Sequence, residues 1–117
     1  MAESPALHVS HIVDRLRLVV RGGEGGLHSA VTGAICGDLL SFVMANGKPG
    51  DVWITIQTHP NTIAVATLAK IRAIIVASGF EPEEETLIRA DEEAVPVLTC
   101  KESAFVVAGV LYEMGVR

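Results

Sequence analysis

Residues 54–66 read Ile54-Thr55-Ile56-Gln57-Thr58-His59-Pro60-Asn61-Thr62-Ile63-Ala64-Val65-Ala66. An apolar run meets a polar knot, QTHPN, and a second apolar run follows. The first run suits a buried strand. The second continues to Lys70, is apolar nearly all round, and suits a helix buried on more than one side. Thr58 or His59 can cap that helix, Pro60 is favoured at its first position, and Asn61 can bond a neighbouring loop. The knot is therefore a strand-to-helix turn first and a candidate site second.

The same grammar extends outward. Ser10 caps a short helix carrying Ile12, Val13 and Leu16, and Leu16–Val20 alternates as a strand. Arg21–Gly26, RGGEGG, is expected to be a flexible turn. Its glycines do not match the dinucleotide fingerprint, because a strand follows it and the third glycine is missing. Ser29–Cys36 reads as a strand, and Gly37-Asp38 starts a helix that stops at Asn46-Gly47. Asp51–Gln57 is a strand, Pro60–Lys70 a helix and Ala73–Ala77 a buried strand. An acidic helix follows Ser78-Gly79-Phe80-Glu81. Val95–Leu98 is a short strand, and Thr99 with Glu102 gives a capping-box spacing for the last helix. Repeated strand, short turn and helix predict an α/β fold with a mostly parallel sheet of about five strands and helices on both faces.

Composition bounds the function. The chain has 117 residues, one domain by length, and half of them are apolar. So many small aliphatics in so small a domain point to a buried subunit interface, and hence to a homodimer. The formal charge is −5, and no basic stripe is present for nucleic acid. Arg15, Arg17 and Arg21 alternate along the first expected strand and are read as a solvated face. No apolar run reaches bilayer length, and Met1–Val9 has neither a basic start nor a long apolar core. A cytoplasmic protein with reduced thiols at Cys36 and Cys100 is expected.

In a parallel sheet, ligands bind beyond the carboxyl ends of the strands. Four polar turns belong at that edge: Cys36-Gly37-Asp38, Thr58-His59-Pro60-Asn61, Ser78-Gly79-Phe80-Glu81 and Thr99-Cys100-Lys101. A helix start attracts anions. Asp38 and the run Glu81, Glu83, Glu84 and Glu85 oppose that at two of the turns. The start at His59-Pro60 carries no acid, and the one at Thr99 carries Lys101. The candidate ligand residues are therefore Thr58, His59, Asn61, Ser78, Gly79 and Thr99, for a small anionic metabolite or nucleotide.

Other chemistries fit less well. Cys36, Cys100 and His59 are zinc-type ligands, but they lack close paired spacing. Either cysteine with His59 as base, oriented by Asp38, lacks any spacing that fixes the geometry. Gly47-Lys48 is followed by Pro49 and lies between a helix and a strand, so it is a helix stop and not a phosphate loop. No kinase activity, catalytic residue, metal or cofactor is expected.

The segments LRLVVRGGEGG, ICGDLLSFVMANGKPGDVWITIQTHPNTIAVA, AIIVASGFEPEEET and VPVLTCKESAFVVAGVLYEMG together resemble the DRTGG domain, above all its stand-alone bacterial and archaeal members. The resemblance runs from about Val9 to Gly115, so residues 1–117 are read as a single such domain. It rests on the order of GDLLS, GDxWIT, THPN, EP and VP. The family accompanies the catalytic part of HPr kinase/phosphorylase, some phosphotransacetylases and the regulatory regions of pyrophosphatases with CBS domains. The resemblance implies a three-layer α/β/α sandwich, usually dimeric, acting as a regulatory or oligomerisation module. The rival expectation is a pure interaction subunit docking onto a larger enzyme or regulator. The sequence departs from the name-giving pattern: Thr58-His59-Pro60 stands where relatives carry GDR, and Ala77-Ser78-Gly79 where they carry TGG. An arginine able to grip phosphate bidentately is therefore missing at that turn.

Overall fold

A computed structural model of the protein describes residues 6–117. Five strands form one sheet: β1 (Val19–Gly22), β2 (Gly33–Cys36), β3 (Asp51–Thr55), β4 (Ala73–Val76) and β5 (Val97–Thr99). Five helices accompany them: α1 (Val9–Leu16), α2 (Leu40–Asn46), α3 (Asn61–Ala69), α4 (Glu84–Glu93) and α5 (Ala104–Glu113). The strand order is β1-β5-β4-β3-β2. β2, β3, β4 and β5 run parallel, while β1 pairs antiparallel with β5. The sheet is thus mixed, which corrects the mostly parallel expectation.

Each parallel connection steps one strand in the same direction, so one handedness places α2, α3 and α4 on a single face. The packing agrees. Val43, Ile63, Ala66 and Ala90 bury against Trp53, Ile74, Val76 and Val97. On the other face Val9, Ile12, Val107 and Leu111 cover Val52, Ile54, Ile75 and Leu98. Alternate residues of β3 thus enter opposite cores, as a strand covered on both faces requires.

The element limits differ from the sequence reading where local bonds compete. Leu16 completes α1, spaced four residues from the fully buried Ile12. Arg17 then turns left-handed (φ 54°) and Leu18 N–H bonds to the Val13 carbonyl, so β1 starts later than expected. The segment 29–32 does not join β2. Its backbone pairs instead with the chain entering α1, through Val9 N–H to Ser29 O at 3.0 Å and Val31 N–H to Leu7 O at 2.7 Å. β3 ends at Thr55, and β5 runs from Val97 to Thr99. α2 starts at Leu40, because the Asp38 carboxylate turns to β3 rather than capping the helix. The cap of α5 is Ser103, whose hydroxyl accepts from Val106 N–H at 3.2 Å, not the expected Thr99–Glu102 box.

RGGEGG is a packed connection, not a flexible turn. Arg21 and Gly22 end β1, and Glu24–Gly26 form a 3-10 turn. Gly23 has φ +73°, and a Cβ there would lie 2.1 Å from the Val95 carbonyl oxygen. Its N–H donates to Asp91 Oδ1 at 2.7 Å, tying the loop to α4. Gly23 and Gly26 are needed because the α4–β5 backbone passes against them.

Candidate functional site

The turns at the carboxyl ends of the strands are laced together by hydrogen bonds. Asp38, after β2, accepts from Thr55 Oγ1 at 2.8 Å and Ile56 N–H at 2.9 Å, while Gln57 Nε2 donates to its carbonyl. The Thr58 carbonyl, after β3, accepts from Thr86 Oγ1 at 2.7 Å and Glu83 N–H at 3.1 Å on the approach to α4. After β4, Ser78 N–H bonds the Glu102 carbonyl and Gly79 N–H the Cys100 carbonyl, at 2.8 and 2.9 Å. The four turns are neighbours, as their topology requires.

Within the knot, His59 acts on its own helix. Its Nδ1 accepts from Asn61 N–H at 3.0 Å, and its carbonyl accepts from Thr62 N–H and Thr62 Oγ1. These bonds satisfy groups that the first turn of α3 leaves open. Capping accounts for the THPN sequence.

A cleft of about 560 Å³ opens one strand pair away. Val19 and Arg21 of β1 and Thr99 of β5 line one side of it, together with Arg17 from the end of α1. Gly79, Phe80 and Glu81 of the β4–α4 loop form a second wall, and Cys100, Lys101 and Glu102 a third. Antiparallel pairing sets Val19 opposite Thr99. That register carries the start of β1, with Arg17 just before it, to the carboxyl ends of β4 and β5. Arg21 pairs with Glu81 across the cleft. Arg17 and Lys101 form no ion pair among the described residues. A smaller groove of about 240 Å³ lies between α3 and α4, around Ile63, Leu68 and Arg89.

Of the six residues singled out in the sequence, Gly79 and Thr99 line the cleft. Ser78 is held at its edge by the bond to Glu102. Thr58, His59 and Asn61 lie in the adjoining turn and do not line it. The sequence reading passed over Arg17, Arg21 and Phe80. The first two had looked like a solvated strand face; the antiparallel pairing of β1 brings Arg17 here, and Arg21 reaches the cleft through its side chain's pairing with Glu81.

The thiols do not favour nucleophilic chemistry. Desolvation pushes the half-buried Cys100 above the ordinary value of 9.0, and partial desolvation with the Asp38 charge does the same at Cys36, which is exposed. A protonated thiol is a poor nucleophile and metal ligand. Cys100 lines the cleft, whereas Cys36 lies beside α5 on β2. No group of three histidine, cysteine or acidic side chains is arranged for a metal among the described residues. No helix of the described residues is long and apolar enough to cross a membrane.

The DRTGG domain model matches residues 12–114. The chain belongs to the DRTGG domain family. In the loop after β4, Ser78 (φ 63°) and Gly79 (φ 77°) are both left-handed. No curated protein matches the DRTGG chain by sequence. Among solved structures it is similar to the CBS and DRTGG domains of the regulatory region of Clostridium perfringens pyrophosphatase, complexed with the activator diadenosine tetraphosphate. The identity is 17 %, the TM-score 0.72, and the match covers 89 % of this chain but only 45 % of that one. The chain thus spans less than half of that regulatory region, and at this identity the likeness concerns the fold.

Proposed function

We propose that this DRTGG domain is a non-catalytic regulatory module, homodimeric, that senses a small anionic metabolite or nucleotide at the C-terminal edge of its sheet. The reading takes residues 1–117 as one module with its core at about 9–115. The observation that carries it is the convergence of Arg17, Arg21 and Lys101 on one cleft at the strand ends, in a chain whose formal charge is −5. Gly79 and Thr99 belong to its wall. Thr58, His59, Asn61 and Ser78 form the adjoining edge, where a ligand larger than the cleft meets the protein. The pyrophosphatase region, bound to a nucleotide activator, supports a sensing role by analogy of fold.

The test is a thermal-shift screen of nucleotides, phosphorylated metabolites and acyl phosphates, confirmed by calorimetry. A binding ligand raises the melting temperature by mass action. If no compound in the panel shifts it or gives heat beyond dilution, the sensing role is wrong.

A second reading, an interaction subunit of a larger enzyme or regulator, is favoured by the exposed apolar stripe on α5, chiefly Phe105 and Tyr112. Isolation from native cells separates the two. A stoichiometric larger partner, with no ligand effect in the screen, favours the scaffold.

A further inference from the structure

The cleft has a composition that narrows its ligand. Arg17, Arg21 and Lys101 face Glu81 and Glu102 around it, so cations outnumber carboxylates there although the chain as a whole is acidic. Arg17 and Lys101 are unpaired among the described residues, while Arg21 is held by Glu81. Phe80 lines the same cleft and is 48 % exposed. All three phenylalanines are exposed, but only Phe80 shares the lining of this cleft with three cations. Two left-handed residues, Ser78 and Gly79, fold the loop so that its backbone is bonded to Cys100 and Glu102. Phe80 is therefore presented by a pinned loop. A volume of about 560 Å³ is far larger than a single phosphate requires and falls within the range of small-molecule sites.

We propose that this cleft is a nucleotide site in which phosphates lie against Arg17, Arg21 and Lys101, the base covers Phe80, and Glu81 is the group that the phosphates displace from Arg21. The proposal rests on the ligand-sensing reading above and adds the site, the ligand class and a latch. Guanidinium groups bind phosphate oxygens in a fork. An aromatic face stacks any base without selecting among them. Glu81 neutralises Arg21, so a ligand must outcompete it. Only a ligand with several negative charges does so and also engages Arg17 and Lys101.

The experiment is calorimetry on the full chain with ATP, AMP and inorganic tripolyphosphate at fixed ionic strength. ATP is expected to bind most tightly. Lys101→Ala should weaken ATP and tripolyphosphate alike by about tenfold, the loss of one charge-assisted contact. Phe80→Ser should weaken ATP by about tenfold and leave tripolyphosphate unchanged. Glu81→Gln should tighten both severalfold, an inverted sign that a merely structural Glu81 does not give. Lys101 and Glu81 are exposed, so these two variants keep the test intact if Phe80→Ser unfolds. If ATP binds with wild-type affinity to Lys101→Ala and Glu81→Gln, the nucleotide lies elsewhere; the cleft proposal fails while sensing survives. If none of the three probes binds but another metabolite in the screen does, the cleft proposal fails alone. If nothing in either panel binds, both fail.

Discussion

Phe105 offers the sharpest test of the proposed dimer. It is 87 % exposed, near the start of α5, and Tyr112 is 61 % exposed seven residues later on the same stripe. Beside Tyr112 an apolar notch of about 200 Å³ runs between α5 and the edge strand β2, past Ala34, Ala108 and Val116. A phenylalanine buries about 150–250 Å² when covered. At the observed exposure and about 25 cal/mol per Å², covering the ring contributes about 3–5 kcal/mol. A two-fold interface counts it in both copies, against an association cost of about 4–15 kcal/mol. If the α5 stripe is the contact of the proposed homodimer and not of a larger partner, two such rings decide whether it forms. Phe105→Ser should therefore weaken dimerisation by on the order of a thousandfold or more. The isolated domain should lose no more than about 0.5 kcal/mol, since serine and phenylalanine have similar helix propensities and the ring is free in the monomer. Sedimentation equilibrium over nanomolar to high-micromolar protein, with urea unfolding followed by Trp53 fluorescence, reads both quantities. A wild-type chain that stays monomeric at high micromolar concentration refutes the interface. A Phe105→Ser dimer as tight as wild type shows that the contact lies on another face.

Three further outcomes test the fold and the site. Gly23→Ala places a methyl 2.1 Å from the Val95 carbonyl oxygen at φ +73°. It should cost about 2–4 kcal/mol in urea unfolding, and an unchanged midpoint would mean that RGGEGG is not packed against α4–β5. Ser78→Gly should relieve about 1–2 kcal/mol of left-handed strain and give back about half of it in chain entropy, a net gain of at most about 1 kcal/mol. Ser78→Ala should give no gain, and equal midpoints for the two variants would contradict the backbone assignment. Both thiols titrate above 9.0 in the folded chain. Their contribution to stability is then complete below the unfolded value and is lost as pH rises through the folded one. Stability should fall above about pH 9 by thiol ionisation in the unfolded state. Replacing both cysteines with alanine should flatten that part of the pH profile, measured by urea unfolding, and an unaltered slope would refute the burial argument.

Much of the fold was legible because the parallel units announce themselves locally. IQTHPNTIAVA changes from a buried strand to a buried helix within a few residues, and β3, α3 and β4 lie close to where the pattern puts them. The errors fell where long-range bonds outcompete local pattern. Segment 29–32 has strand-like residues, but its backbone partners are Leu7 and Val9, whose approach no periodicity reveals. Asp38 has the type and place of a helix cap, yet Thr55 and Ile56 claim its carboxylate from the next strand. RGGEGG looked flexible because glycine permits motion. In the folded chain Gly23 is glycine because the Val95–Pro96 backbone leaves no room for a side chain.

The antiparallel β1 links the main fold error to the incomplete site. A uniformly parallel sheet carries the start of every strand to the edge opposite the ligand face, so residues preceding β1 would lie far from the turns that follow β4 and β5. Reversing β1 exchanges its ends. Val19 then pairs with Thr99, and Arg17 comes to the cleft formed with Lys101. Edge strands tolerate such reversal because only one neighbour constrains them, and no direct βαβ crossover joins β1 to β5, its neighbour. The alternation of Arg15, Arg17 and Arg21 could not show this, since a solvated strand and a strand flanking an anion cleft have the same sequence pattern. Their roles depend on the direction of pairing. The turns after β3, β4 and β5, with Lys101, were readable because every βα unit sends its turn to the same edge, while Arg17 required knowledge of how the one unit outside that repeat is oriented.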